Sequence, residues 1–479
     1  MSSKATTPPL RGTPPEEGNV AANSPPPEGW QAQPDGVVPK LRFPEFRGAG
    51  DWTTETLGSV AKISTEKVVD NACIPMSITS GVGLVSQMEK FGRIIAGSSY
   101  ANYLLLKKND FAYNKSATKE YPEGFIALYS GDELAAVPNS IFTCFRLNGV
   151  SPVPQYLNYL FLGNLHGKWL RKFIEVGARA HGSLSINDGD LLALPVPLPS
   201  GKTSVPEQQK IAECLSSVDE LMAAQARKVD ALKTHKKGLM QQLFPTAGET
   251  QPRLRFPEFQ NAGEWLVKPL GEIFPITSSK RVHESDWTAT GVPFYRAREI
   301  VALNKYEPIQ PLLISEELYA AHSKQTGEIR AGHLLVTGVG SIGVPYLVRA
   351  GDRFYFKDGN IIWLKNDGKE LNGEFLLRLY ETDYVQKQLK AMADVGTVAT
   401  YTIDNAKRTL AAFPKDKDEQ HRIATCLSSL DTLITLETQK LAALKTHKQG
   451  LMQQLFPSVG GVPEGRGGSP SVGGVAGEA

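Results

Sequence analysis

Apolar residues follow alternating steps of four and three through a long segment that begins at Pro206, and the same pattern returns in a second segment that ends at Pro457. Sustained heptad spacing predicts a coiled coil, because it keeps one apolar seam along the whole helix. A helix from Pro206 to Phe244 would be about 58 Å long at roughly 1.5 Å per residue. The pattern assigns these residues to the coiled-coil core: Leu215, Val218, Met222, Val229, Leu232, Leu427, Leu430, Ile434, Leu441 and Leu444.

Polar residues interrupt the two heptad patterns at matching points, Gln225 with Glu437 and Lys236 with Lys448. A polar residue at a core position can fix the register of a helix pair. One amphipathic helix packed on its own domain is the alternative for each segment. Two matching copies in one chain favour mutual packing instead, antiparallel and around a pseudo-two-fold axis.

Short strand patterns and helical patterns alternate through the rest of the chain. In the first half, residues 103–106 and 124–129 have the composition and bounding turns of strands, and residues 156–176 carry apolar side chains at a helical period. The second half gives strands at 332–337 and 354–356 and a helix at 374–392. This mixture predicts an α+β fold.

Two blocks of sequence occur twice. Lys40 to Phe46, with Trp52 behind it, returns as Arg253 to Phe259 with Trp265, and residues 232–245 return as 444–457 with Lys237 replaced by Gln449. The sequences between the paired blocks look unrelated. Shared ends with divergent middles predict two tandem, pseudo-symmetric mixed α/β domains, separated by two long helices that pack as an antiparallel coiled coil.

The repeats set the expected boundaries. We expect a disordered, Pro-rich arm at 1–38 and a disordered, Gly-rich tail at 458–479, because neither segment has enough apolar residues to offset the entropy of ordering. Between them, two domains at 39–205 and 251–417 alternate with two spacer helices at 206–250 and 418–457.

Composition is that of an ordinary globular protein, with 41% hydrophobic and 21% charged residues. No apolar run approaches the roughly 18 residues of a membrane span, so we expect a cytoplasmic protein without a membrane partner. The net charge is only +2. A nucleic-acid surface would therefore be a local patch.

Motifs for catalysis and cofactor binding fail on context. Residues 338–343 match GxGxxG, but a strand-like segment follows where a dinucleotide site needs a helix, so we expect a tight turn between strands. Gly201-Lys202-Thr203 lacks the first glycine of a phosphate-binding loop, and neither the eight histidines nor the four cysteines show metal-ligand spacing. No methyltransferase, nuclease or helicase motif is found. We expect a chain that is not an enzyme and carries no metal or cofactor.

The repeated motifs resemble those of the specificity subunits of type I restriction–modification enzymes. The resemblance covers about residues 39–457. It rests on the Leu-Arg-Phe-Pro-Glu-Phe opening with its Trp, the proline-bounded ending at 194–199, the helix starts at 207–212 and 419–424, and the Leu-Met-Gln-Gln-Leu-Phe-Pro ending of each spacer helix. The second copy departs from the pattern at 409–414, where a shorter linker precedes the helix.

The resemblance implies that the two domains are target-recognition domains, each reading one half of a split, asymmetric site in double-stranded DNA. It implies that the spacer helices dock two methyltransferase (modification) subunits. Those partners would supply S-adenosylmethionine and methylate adenine at N6. Restriction subunits with endonuclease and translocase activity, driven by ATP and Mg²⁺, would add cleavage.

Candidate DNA contacts follow from chemistry, since phosphates attract Lys and Arg while base edges favour Arg, Lys, Asn and Gln. In the first domain the candidates are Lys107, Lys108, Asn114, Lys115, Ser116, Lys119, Arg179 and His181. In the second they are Lys280, Arg281, Arg296, Arg298, Gly340, Ser341, Lys357 and Tyr401. For each one a solvated surface residue is the alternative.

Two other classes of function stay open at this point. The first is a coiled-coil adaptor that binds proteins and has no DNA target, which insensitivity of binding to salt and sequence would indicate. The second is a self-sufficient restriction–methylation enzyme, against which the missing cofactor and methylation motifs count.

Overall fold

The structure is a computed structural model that describes residues 38–79, 81–97, 100–174, 184–246, 248–305, 307–357, 359, 361–393 and 399–457. The predictions for the 1–38 arm, apart from Val38, and for the 458–479 tail lie outside the described residues. The chain divides into two compact units. Unit 1 runs to Ala212 and resumes at Met452, and unit 2 runs from Glu213 to Leu451.

Unit 1 is built from short strands and helices before the first long helix. They are β1 (Trp52–Thr56), α1 (Leu57–Val60), β2 (Ala61–Ser64), β3 (Ile74–Thr79), β4 (Gly83–Ser86), α2 (Gln87–Phe91), β5 (Leu104–Leu106), β6 (Phe111–Asn114), β7 (Phe125–Leu128), β8 (Ala135–Val137), β9 (Phe142–Leu147), α3 (Pro154–Leu162), α4 (Leu165–Leu170), α5 (Asp188–Leu192) and β10 (Pro195–Pro199). The long helix α6 (Ser204–Leu243) begins in this unit.

Unit 2 repeats this plan. Its elements are β11 (Leu266–Pro269), α7 (Leu270–Ile273), β12 (Ile276–Thr277), β13 (Trp287–Thr288), β14 (Val292–Tyr295), α8 (Ala297–Asn304), β15 (Leu312–Ile314), α9 (Glu316–Thr326), β16 (Leu334–Thr337), β17 (Pro345–Leu347), β18 (Tyr355–Phe356), β19 (Ile361–Leu364), α10 (Gly373–Glu381), α11 (Asp383–Met392), α12 (Ile403–Arg408), β20 (Leu410–Phe413) and α13 (Lys417–Leu455).

The two units share the strand order of one four-stranded sheet although their sequences diverge. Unit 1 has a four-stranded sheet in the order β2-β9-β6-β7, and unit 2 has the corresponding order β12-β19-β16-β17. In each unit a second four-stranded sheet contains one parallel pair, β3 with β8 and β14 with β18. A two-stranded ribbon, β1 with β10 and β11 with β20, joins the start of each domain to its end. The prediction of two tandem mixed domains with long helices is therefore confirmed.

Two of the predicted helices are broken in the structure. The segment at 156–176 forms α3 and α4, because Asn164 between them adopts φ +61, which a helix cannot contain. The segment at 374–392 forms α10 and α11, because Thr382 between them is extended and caps α11 with its side chain. The apolar period continues across both breaks, so the sequence pattern did not reveal them.

The arginine of the repeated Leu-Arg-Phe-Pro-Glu-Phe block bonds a glutamate at the start of a long helix, a contact that we call the clasp. In unit 2, Arg255 donates to Glu419 in α13 at 2.8 and 2.6 Å and to the carbonyls of Ala262 and Gly263. Trp265 Nε1 donates to the same carboxylate at 3.3 Å. The side chain of Glu419 is 1% exposed, so the guanidinium compensates a buried charge.

Unit 1 has the same clasp at its own long helix. Arg42 donates to both carboxylate oxygens of Glu207 at 2.7 Å and to the carbonyls of Ala49 and Gly50. In unit 1 Leu41 N also bonds Gln454 O near the end of α13, as Leu254 N in unit 2 bonds Gln242 O near the end of α6. Arg and Glu recur in the sequence because both clasps use them, whereas the buried Trp52 Nε1 has no hydrogen-bond partner among the described residues.

The two long helices run antiparallel within unit 2. Gln225 and Glu437, 212 positions apart in the sequence, meet through a 2.6 Å hydrogen bond from Gln225 Nε2 to the carboxylate. Lys448 contacts Asp219 at 2.6 Å, and Lys236 contacts Asp431 at 2.7 Å. These two ion pairs join corresponding residues of the repeat, so the pair has the expected pseudo-two-fold relation.

The predicted coiled-coil core residues lie at buried or half-buried positions. Leu215, Val229 and Leu427 are buried, while Val218, Met222, Leu232, Leu430, Ile434, Leu441 and Leu444 are half-buried. The polar breaks in the heptads are accounted for by the cross-helix contacts of Gln225, Glu437, Lys236 and Lys448. A 40-residue α6 is about 60 Å long at roughly 1.5 Å per residue.

Candidate nucleic-acid interface

Four strands of unit 2 end at one edge of its sheets. At the end of β16, Thr337 pairs with Ile361. At the end of β14, Tyr295 pairs with Phe356 at the end of β18. Just after β12, Ser278 Oγ donates to Ile361 O at 2.9 Å. We call the segments that follow β12, β14, β16 and β18 the basic edge of unit 2.

Most of the basic side chains predicted in the second half lie on this basic edge. Lys280 follows β12, and its backbone N–H donates to Tyr355 Oη at 2.8 Å. Lys357 follows β18, and its backbone N–H donates to Tyr295 O at 2.8 Å. Arg281 is exposed beside Lys280. The sheet thus brings together residues that are more than seventy positions apart in the sequence.

Arg296 and Arg298 share a buried carboxylate at the same edge. Arg296 Nη2 donates to Glu299 Oε1 at 2.9 Å, and Arg298 Nε donates to the same oxygen at 2.6 Å. Burial by itself would raise the pKa of Glu299, but the hydrogen bonds from the two arginines outweigh it and the pKa is lowered. One carboxylate held between two guanidinium groups leaves a net positive charge, and the side chain of Arg298 is 68% exposed.

Gly340 and Ser341 lie at the tip of the tight turn between β16 and β17, and both are exposed. Gly340 and Gly343 have φ of +75 and +80, which L side chains rarely adopt. Thr337 Oγ1 accepts from Val344 N at 3.0 Å and closes the turn. The GxGxxG segment is therefore a turn between antiparallel strands, as its sequence context predicted.

The corresponding edge of unit 1 consists of the segments that follow β2, β3, β6 and β8. Asn114 at the end of β6 pairs with Phe142, and Lys115 N donates to Ile141 O at 2.9 Å. Lys115, Ser116 and Lys119 lie in the turn from β6 to β7, which corresponds to the Gly340–Ser341 turn of unit 2.

Lys67 also belongs to this edge and was missed by the sequence analysis. It is exposed three residues after β2, as Lys280 is three residues after β12. The sequence around Lys67 did not mark it as a candidate, because the correspondence between β2 and β12 is visible only in the sheet topology.

Lys107 and Lys108 lie at the other end of β6, away from the turn with Lys115. Lys107 pairs with Glu66 at 2.8 Å and Lys108 with Asp132 at 2.6 Å. The hydrogen bond from Lys107 lowers the pKa of Glu66, and the one from Lys108 lowers the pKa of Asp132. Both lysines are thus neutralised at a place that does not correspond to the basic edge, and we leave them out of the interface.

Two further predicted contacts are buried. Tyr401 is 1% exposed, and its hydroxyl shares a 2.6 Å hydrogen bond with Thr409 Oγ1. Asn114 is 8% exposed, and its side-chain oxygen accepts from Ser116 N at 3.0 Å. Their polar groups stabilise the fold beside the two turns and do not face solvent. Arg179 and His181 lie outside the described residues.

A family model described as the type I restriction modification DNA specificity domain matches residues 262–446. A provisionally named type I restriction enzyme specificity subunit from Haemophilus influenzae is 28% identical over 36% of this chain and 42% of its own length. Another, the MjaX specificity subunit from Methanocaldococcus jannaschii, is 23% identical over 70% of this chain and 74% of its own length. The chain thus spans less than half of the first relative and about three quarters of the second.

The fold has a solved counterpart. The crystal structure of the type I restriction-modification system S subunit from M. genitalium has a TM-score of 0.51 to this chain, with 16% identity, and covers 88% of this chain and 100% of its own. No helix among the described residues is long and apolar enough to cross a membrane. Residues 262–446 thus match the type I restriction modification DNA specificity domain, and specificity subunits of similar sequence or similar fold extend over both halves of the chain.

Proposed function

We propose that unit 1 and unit 2 each read one half of an asymmetric, bipartite DNA site through the edge defined above. The observation that carries this proposal is that the two units share the strand order of one four-stranded sheet and a parallel pair in a second sheet, but place different side chains at the corresponding strand ends. A common scaffold with different edge residues suits two half-sites of different sequence.

The chemistry of the two edges suits DNA. Lys67, Lys115, Lys119, Lys280 and Lys357 are point charges for phosphate oxygens, which fix the position of a protein on the duplex. Arg298 is the best placed group for a guanine, because a guanidinium can bond O6 and N7 together in the major groove. The small turn at Gly340 and Ser341 lets backbone come close to the DNA.

The partners follow from the same proposal. We place two modification subunits on the antiparallel long helices, whose repeated contacts offer two equivalent surfaces. Those subunits would bind S-adenosylmethionine and methylate adenine at N6, and restriction subunits using ATP and Mg²⁺ would cleave. The domain limits predicted from the sequence remain part of the proposal, as does action in the cytoplasm, where the DNA target is.

Selection from a random DNA library tests the proposal. The complex of this chain with its modification subunits, purified from its own host, is expected to enrich two different short motifs separated by an unread spacer of fixed length. Enrichment of one continuous motif would contradict bipartite reading. Binding that is insensitive to both sequence and salt would instead indicate a coiled-coil adaptor without a DNA target.

A further inference from the structure

Val82 is a large apolar side chain at the tip of a hairpin, where it does not pack into the core. It is 71% exposed in the turn between β3 and β4. Its backbone N–H donates to Thr79 O at 3.0 Å, and Thr79 pairs with Gly83 across the hairpin. Gly81 and Gly83 on either side have φ of +75 and +113, so the turn is tight and the valine stands out from it.

The hairpin tip belongs to the edge of unit 1 proposed to face DNA. β3 runs parallel to β8, and in the segment that follows β8 the carbonyl of Ile141 accepts from Lys115 N just after β6, so β3, β6 and β8 end at one edge. A Cβ atom built on Gly81 would lie 3.5 Å from Tyr121 Oη, and Tyr121 is in the same β6–β7 turn as Lys115 and Lys119. The valine tip therefore lies beside the basic turn.

Unit 2 has different chemistry at the corresponding strand end. There β14 is followed by Arg296 and α8 instead of a hairpin tip. Arg298, exposed in the first turn of α8, can bond a guanine, whereas a valine can make only apolar contacts. The difference bears directly on which base each unit reads.

Resting on the proposed function, we infer that Val82 is a specificity-determining residue that contacts the 5-methyl group of a thymine in the half-site read by unit 1. In the major groove the thymine methyl is the apolar group that base edges of unmodified DNA present. A β-branched side chain with only methyl groups at its end matches that group and offers nothing to a hydrogen-bonding edge.

Deoxyuridine tests the contact because it differs from thymidine by that methyl group alone. The complex of the full chain with its modification subunits is titrated with duplexes that carry its selected site, with every thymine in turn replaced by deoxyuridine. For the native complex one replacement should weaken binding about fourfold, the effect of exposing one methyl group. The Val82→Ala complex should bind the thymine duplex about fourfold more weakly and be indifferent to the same replacement.

Val150→Ala is the matched control. Val150 is 83% exposed, but it follows β9 at the opposite end of that strand from the edge. Its complex should discriminate thymine from deoxyuridine as the native one does. A thermal melt of the Val82→Ala chain equal to that of the native chain shows that its loss of binding is not loss of folding.

Each outcome decides the inference. It is overturned if no thymine replacement affects the native complex, or if Val82→Ala keeps the full discrimination at the sensitive thymine. If either result is found and the native complex still binds a split site, this inference fails while the proposed function stands. A native complex with no specific site overturns the proposed function and this inference together.

Discussion

Removing Lys280 and Lys357 together should lower the salt dependence of DNA binding. The logarithm of affinity falls with the logarithm of salt by about 0.9 for each phosphate that a protein neutralises on B-DNA. Two lost contacts should therefore reduce the slope by about 1.8, so that between 50 and 200 mM salt the variant loses about 12-fold less affinity than the native complex. Fluorescence anisotropy of a labelled duplex, titrated at four salt concentrations, measures both slopes.

The control variant is Lys107→Ala with Lys108→Ala. It removes the same number of lysines from unit 1, but these lie at the other end of β6 in ion pairs with Glu66 and Asp132. Its slope should stay within about 0.4 of the native value, less than half of one phosphate contact. If this control lowered the slope as much as the first variant, or the first variant left it unchanged, the assignment of the basic edge would be wrong.

Three other variants test separate parts of the structure. Arg255→Ala should lower the free energy of unfolding in urea by about 3–5 kcal/mol, because the buried carboxylate of Glu419 loses its cation; a loss below 1 kcal/mol would mean that the clasp is not needed. Tyr401→Phe should cost about 1 kcal/mol of stability and leave DNA affinity unchanged, and a drop in affinity would return Tyr401 to the interface. The pKa of His166 is lowered to about 4 by burial, whereas the unfolded chain binds that proton near pH 6.5. Stability present above pH 6.5 should then be lost as pH falls towards 4, by about 2 kcal/mol at pH 5, and His166→Gln should remove this acid sensitivity in urea unfolding curves.

The sequence predicted the long helices well because their determinants are local and repeated. The heptad spacing predicts the helices, their presence in two matching copies predicts the antiparallel pair, and Gln225 and Glu437 meet across it. The breaks at Asn164 and Thr382 could not be predicted, since apolar spacing continues through both. One residue with an unusual backbone conformation ends a helix without changing the pattern around it.

The candidate interface could be predicted only in part. Lys280 and Lys357 stood out as charged residues beside strands, but so did Lys107 and Lys108. The two groups differ in the strand ends at which the fold places them and in the ion pairs of Lys107 and Lys108 with Glu66 and Asp132. Tyr401 was selected for its chemistry and proved buried. Val82 could not be selected, because an isolated valine between two glycines has no meaning until the β3–β4 turn is placed at a strand end.

Genome-wide mapping of N6-methyladenine in the source organism, with the gene intact, deleted and restored, tests the central claim most directly. The account predicts a split, asymmetric motif that is methylated in the native strain, unmethylated in the deletion and methylated again after restoration. A restored gene carrying Lys280→Ala and Lys357→Ala should return less methylation at that same motif. A methylation pattern that is the same in all strains would contradict the claim that this chain directs a methyltransferase to DNA.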